Sequence, residues 1–258
     1  MKKIIGLLFL VAACTPAKKE NQEQVEDTVI AEVAAVPELP SLTDAEKAEG
    51  WKLLFDGQTL NGWQVFKGRK NNTWEVQDGT LHCKALNENV RGDGDERGDI
   101  MTTEEFGNFE LAFDWKIAAQ GNSGVMFRVT EEFEQPYYSG PEYQLIDDTG
   151  YPGKLTEKQK TGANYDMNLV EKKSMNSVGE WNSTKIVANG NHVEHWLNGE
   201  KIVEYELGSA DWRKRKEESK WKEWKGYGLS PKGHIDLQDH GSEVWFKNVR
   251  IKAIESTK

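Results

Sequence analysis

Cysteine is nearly absent from this chain: Cys14 and Cys83 are the only two among 258 residues. That excludes a disulfide-stapled scaffold and any cysteine-based metal centre. Cys83, in "LHCKA", reads as a small buried hydrophobe. Clustered positive charge is scarce as well. The formal net charge is -10, which argues against binding to a phosphate backbone. The one basic run, Arg213 to Lys225 ("RKRKEESKWKEWK"), is interleaved with glutamates and reads as an amphipathic solvated segment. Also missing are G-x-S-x-G, Walker, H-E-x-x-H and EF-hand patterns, and any fixed-period repeat.

What is present begins with a leader. Lys2 and Lys3 precede the apolar run "IIGLLFLVAA", too short to span a bilayer but suited to a signal peptide. "VAAC" resembles a lipoprotein box, so residues 1–13 are expected to be removed and Cys14 to be lipidated. Thr15 stands where an aspartate would favour the inner membrane, which points to an outer-membrane lipoprotein facing the periplasm or the cell surface. Residues 14–46 carry no aromatic side chain and are rich in Glu, Ala, Val and Pro. They are expected to form a disordered tether. The folded domain is expected over 47–258.

From Trp51 onward, short β-type runs alternate with turn signals. "TWEVQDGTLHC" has Asp78-Gly79 between two alternating runs, and Asn189-Gly190 and Asn198-Gly199 mark further hairpins. In "NFELAFDWKI", Phe109, Leu111, Phe113, Trp115 and Ile117 share one face. No long amphipathic helix interrupts the series. The expected fold is all-β, a two-sheet antiparallel jelly-roll sandwich of concanavalin A-like type.

Two stretches concentrate polar chemistry on strands. In "SGVMFRVTEEFEQPYYSGPEYQLIDD", Arg128 interrupts an apolar run, opposite Glu142 and Gln144. In "GHIDLQDHG", Asp236, Gln238 and His240 share the face opposite Ile235 and Leu237. Either set is a groove floor or a wet outer surface. His192 and His195 lie three apart on one strand and so on opposite faces, which makes a metal pair there improbable and a surface position expected. A retaining glycosidase on such a sandwich places alternating carboxylates on one strand, but here Gln144 occupies the second position. No cofactor is expected. Loop carboxylates can hold a divalent cation, yet no ligand spacing marks a site.

Taken in order, "GWKLLFDGQTLNGW", "NFELAFDWKI", "GNSGVMFRV", "GPEYQLIDD", "TGANYD", "EHWLNGEKIVEYE", "SKW" and "GHIDLQDHG…VWFKNVRIK" resemble the 3-keto-disaccharide hydrolase family. The resemblance implies glycoside substrates oxidised to a ketone at C3, cleaved by C2 proton removal and β-elimination. It nominates Glu142 and His240 as catalytic residues, either one the base. Arg128, Gln144, Gln238, Asp147 and Lys220 follow as substrate contacts. The implied partners are an oxidised oligosaccharide and, through the lipid, a membrane. A lectin-like module that binds glycans without turnover is the competing expectation. Tyr151 stands where many relatives carry a histidine, and Asn164 at a usually apolar place.

Overall fold

The structure, a computed structural model, describes residues 38–85 and 97–255. The signal peptide, Cys14 and most of the expected tether therefore lie outside the described residues. The expected boundary at 46/47 falls inside a helix. α1 (Asp44–Ala48) is closed by a Thr43/Glu46 capping box, and Glu46 pairs with Arg250 of the last strand at 3.2 Å. Local capping and one cross-chain ion pair thus draw the tail of the low-aromatic stretch into the domain.

Thirteen strands follow: β1 (Trp51–Leu53), β2 (Trp63–Val65), β3 (Trp74–Gln77), β4 (Thr80–Cys83), β5 (Ile100–Thr102), β6 (Phe109–Ile117), β7 (Asn122–Val129), β8 (Glu142–Ile146), β9 (Asn182–Asn189), β10 (His192–Leu197), β11 (Glu200–Glu206), β12 (His234–Leu237) and β13 (Val244–Ala253). All pair antiparallel, in two sheets among the described residues. One runs β11-β10-β9-β6-β13-β4-β3 with β1 beside β13; the other runs β2-β5-β12-β7-β8. The three hairpin turns fall where Asp78-Gly79, Asn189-Gly190 and Asn198-Gly199 predict them. Asp78 and Gly79 both hold positive φ, as a type I′ turn requires.

The core lies between the sheets. β6 buries alternate residues, and Phe113 meets Tyr143 of the second sheet edge-on at 6.4 Å between ring centres. Cys83 is fully buried in this core. So is His195, against the surface position expected for it. Its Nδ1 lies 2.9 Å from the Gly162 carbonyl, and burial pulls its pKa down to about 4. The alternation that sends His192 outward sends His195 inward, where Tyr143 and Tyr205 surround the ring.

The five-stranded sheet fixes the site. Val125, Tyr143, Leu145, Ile235 and Leu237 of this sheet face the core. Met101 and Met126 belong to a separate apolar cluster with Phe66 and Val129 on the opposite side. Residues 161–165 hydrogen-bond along β8 and extend that edge, and the segment after α2 (Ala210–Glu217) brings Trp221 and Tyr227 into the main core cluster. α2 itself is solvated apart from Trp212, as its charge pattern predicts.

Candidate active site

The outer face of the five-stranded sheet is assembled by register. Asp236 of β12 and Glu142 of β8 both pair with Met126 of the intervening β7. The two carboxyls therefore flank one strand, with Cα atoms about 10 Å apart. One step along the face, Gln144 pairs with Gly124, and the Gln238 backbone N–H donates to the Gly124 carbonyl at 3.0 Å. β12 ends at Leu237, yet this bond carries Gln238 onto the same row.

Glu142 lies flat over Gly124. A Cβ added there would stand 2.2 Å from Glu142 Oε1, so only glycine lets the carboxyl cross the strand. The carboxyl is 3% exposed, and its pKa rises from 4.5 to about 8. Burial is the main cause, opposed by the Lys220 ammonium and reinforced by Asp99. Lys220 stands over the rings of Tyr165 and Trp221, at 4.0 and 4.3 Å, an aromatic seat that favours a cation. Desolvation lowers its pKa while Glu142 and Asp166 oppose that change. His240 is at the exposed rim. Partial desolvation and the Arg97 and Lys220 cations hold its pKa below the usual value.

Several buried acceptors on this face have no donor. Among the described residues, Asn122 Oδ1, Gln144 Oε1 and both Asp236 oxygens lack a hydrogen-bond partner. Buried acceptors in folded proteins are nearly always paired. The Asp236 oxygens are enclosed and meet the Asp99 carboxyl, which leaves Asn122 and Gln144 as the acceptors on this face that suit a ligand rich in hydroxyl groups.

Of the residues expected from sequence, Glu142, Gln144, Gln238, Lys220 and His240 converge here. Arg128 and Asp147 do not. β7 is bulged: His234 pairs with Val129 but Asp236 with Met126, so an extra residue of β7 must be accommodated, and Arg128 adopts φ 54°. The bulge reverses the alternation. Val129 joins Met126 on the outer face. The Arg128 guanidinium instead donates to the carbonyls of Gly107 and Gly190, with contacts of 2.8–3.1 Å. Asp147, just past β8, accepts from the N–H groups of Gln120, Thr149 and Gly150 and from the Thr149 hydroxyl. Burial alone would raise its pKa, but these bonds hold it below the usual range. It organises a loop.

Sequence reasoning missed Asp99, whose carboxyl interacts with both Asp236 and Glu142. Its only signal is position in "RGDI" ahead of a three-residue strand, which carries little pattern. Tyr151 stands near Tyr165, whose pKa is pushed up to about 12 mainly by burial, with Glu142, Asp166 and Tyr151 acting in the same sense. Asn164 is fully buried: it donates to Asn168 and accepts from the Tyr227 hydroxyl, so its polarity ties the segment beside β8 to the core. Among the described residues one His/carboxylate group has metal-like spacing, His192, Glu194 and Glu204. It is on the other sheet, and Lys201 already bridges both glutamates.

A family model described as the 3-keto-alpha-glucoside-1,2-lyase-like domain matches residues 50–252. The chain belongs to this family. A protein of Bacteroides thetaiotaomicron named 3-keto-disaccharide hydrolase is 32% identical over 95% of each chain. Among solved structures, a candidate glycosyl hydrolase from Parabacteroides distasonis is 43% identical, covering 84% of this chain and all of its own, with a TM-score of 0.76. A second from the same organism is 26% identical over 79% of this chain and 99% of its own, with a TM-score of 0.57.

Because Gly124 is what lets Glu142 lie where it does, Gly124→Ala is expected to displace the carboxyl and, if turnover depends on that carboxyl, to lower kcat by about a hundredfold. Steady-state kinetics on a 3-keto-glucoside checks this. Wild-type turnover in a folded Gly124→Ala protein would mean that turnover does not depend on the Glu142 carboxyl in this position.

Proposed function

We propose that this domain cleaves 3-keto-glycosides by removing the C2 proton and eliminating the C1 aglycone. Glu142 is the base. The C3 ketone acidifies the C2 hydrogen, and the glycosidic oxygen lies β to that ketone, so one proton removal opens the way to C1–O cleavage. Water addition to the unsaturated product then completes a net hydrolysis; without it the outcome is that of a lyase. Gln144 and Gln238 are placed to bind ring hydroxyls, and Lys220 supplies positive charge beside Glu142. His240 contacts sugar at the rim.

The observation that carries this reading is one buried carboxyl with a pKa raised to about 8, beside a lysine and ringed by open acceptors. A base is most effective when its pKa lies near the working pH. Conventional glycosidases need one carboxyl ionised and one protonated, set apart by their surroundings. Here Glu142 and Asp236 are both pushed upward, so their surroundings do not set them apart as an ionised nucleophile and a protonated acid.

The test offers the soluble domain a 3-keto-glucoside and its unoxidised parent and follows aglycone release by chromatography. Release from the keto compound alone is expected. Binding of both without release would make the domain a lectin-like module, and release from the parent would restore conventional hydrolysis.

A further inference from the structure

The reaction so far gives the departing aglycone no proton, and the groove floor holds a buried carboxyl pair without a task. Asp236, at the centre of β12, is 0% exposed. Met101 and Met126 flank it on the neighbouring strands. No donor among the described residues reaches either of its oxygens. What does lie against it is another acid. β5 sets Met101 opposite Asp236 and Ile100 opposite Leu237, so Asp99 follows on the same face as a diagonal neighbour within side-chain reach. The two carboxyls interact directly.

An isolated carboxylate buried among methionines is strongly disfavoured and takes a proton instead. Two touching carboxyls cannot both ionise at modest cost. Their surroundings differ. Asp236 is enclosed. Asp99 is half-buried, accepts the Asp239 N–H at 2.8 Å, and faces a cavity of about 190 Å³ that Arg69, Arg97 and Asp239 also line. Of the pair, Asp99 therefore opens to this cavity, whose Arg97 also acts on His240 at the rim of the site, and Asp236 is the member without access.

We propose that Asp99 and Asp236 share a single proton, and that Asp99 hands it to the departing aglycone oxygen while Asp236 acts as the positioning residue that keeps the proton on the pair. This rests on the β-elimination reading above. The C2 proton passes to the Glu142 carboxylate. The C–H electrons become the C1=C2 bond, the C1–O bond breaks, and the aglycone oxygen leaves carrying the proton from Asp99. The doubly ionised pair regains a proton from water through the cavity, and Glu142 returns its own to solvent, so charge and atoms balance.

The groups facing this pair fix how it titrates. Glu142 on β8 disfavours ionisation of both carboxyls, and the Asp239 carboxylate after β12 acts on Asp99 in the same sense. Against them stand Arg69, ahead of β3, and the Asp239 N–H. Tyr137, ahead of β8, faces Asp99 as a neutral phenol whose pKa burial raises further. Burial and like charge dominate, so both members of the pair lie above the ordinary aspartate range.

Asp99→Asn and Asp236→Asn test the assignment, each assayed on 3-keto-glucosides with an alkyl aglycone and with a nitrophenyl aglycone. A nitrophenolate leaves without protonation. Both variants are expected to lose about a hundredfold or more on the alkyl glycoside and to recover most of the wild-type rate on the nitrophenyl one. Asp236→Asn, whose amide can donate to Asp99, should also move the alkaline limb of the pH–rate profile to lower pH. Equal losses on both aglycones, or an unmoved alkaline limb, would overturn the general-acid assignment. Infrared spectroscopy supplies a readout independent of turnover. With Glu142 replaced by Gln, so that its own proton does not contribute, the protein at neutral pH should show a protonated-carboxyl carbonyl band that adding Asp236→Asn abolishes, and no such band would overturn the shared proton. If wild-type protein released neither aglycone while the band was present, the β-elimination reading would fall and the proton-sharing pair would stand.

Discussion

Glu142→Gln is expected to lower turnover of a 3-keto-glucoside by roughly 10²–10⁴-fold, the usual contribution of a positioned base, while making the folded protein more stable above neutral pH. Gln keeps the shape over Gly124 and cannot accept the C2 proton as a carboxylate does. The stability sign follows from linkage. Burial raises the Glu142 pKa from 4.5 to about 8. Between those values the folded state keeps a proton that the unfolded chain has lost. Stability contributed by the wild-type carboxyl therefore falls as pH rises through this window, by several kcal/mol in total. Glutamine does not titrate, so the variant should gain on wild type with each step in pH and then level off. Urea unfolding at about pH 5 and about pH 9 reads this directly. The same group predicts that wild-type kcat/KM rises through about pH 8, and that Lys220→Met, by removing the opposing cation, moves this limb to higher pH. Turnover of Glu142→Gln within tenfold of wild type would remove Glu142 from the role of base.

Arg128→Met is expected to cost about 3 kcal/mol or more in stability and to leave kcat and KM of the folded fraction unchanged. The side chain is 3% exposed and ties the carbonyl of Gly107, just ahead of β6, to that of Gly190 in the β9–β10 turn. It thus fastens the bulged strand of one sheet to the end of the other. Deleting the guanidinium strips buried carbonyls of charged donors, and the left-handed backbone at φ 54° stays strained for any non-glycine replacement. Arg128→Lys keeps the charge but loses the two-carbonyl fork and should fall between. Differential scanning calorimetry beside Michaelis kinetics separates the two effects. Wild-type stability together with a raised KM would return Arg128 to the substrate.

Arg128 also shows where the sequence stops being legible. Alternation along "SGVMFRVT" puts Arg128 beside Met126, and period-two reading is sound for a regular strand. One extra residue against β12 reverses the face of everything after it. No local signal marks the bulge, because it is set by pairing with a strand more than a hundred residues later in the chain. Asp147 fails for a related reason: it reads as the next step of β8, yet the strand stops at Ile146 and its carboxylate closes a turn. His195 went unread as a core residue because burial of a polar ring depends on partners, here Gly162 and Tyr205. Lys220, in a charged run that is otherwise solvated, is recruited by the rings of Tyr165 and Trp221.

By itself the sequence determined the sandwich, because strand alternation, Asn-Gly and Asp-Gly turns and the lack of helical periodicity are local properties that survive in any order of strands. It also determined that Glu142, Gln144, Gln238 and His240 belong to strands or strand ends bearing polar faces, and the ordered motifs placed the chain in its family. Only the tertiary structure decided which polar face becomes a site. Strand order puts β12, β7 and β8 side by side, so Asp236 and Glu142 meet across Met126, and Asp99 arrives from a strand of three residues. Charge states were decided there too. A carboxyl in a sequence is an ordinary acid; buried on this sheet and set against a second carboxyl, it holds its proton into the neutral range, because burial and like charge both disfavour its ionised form.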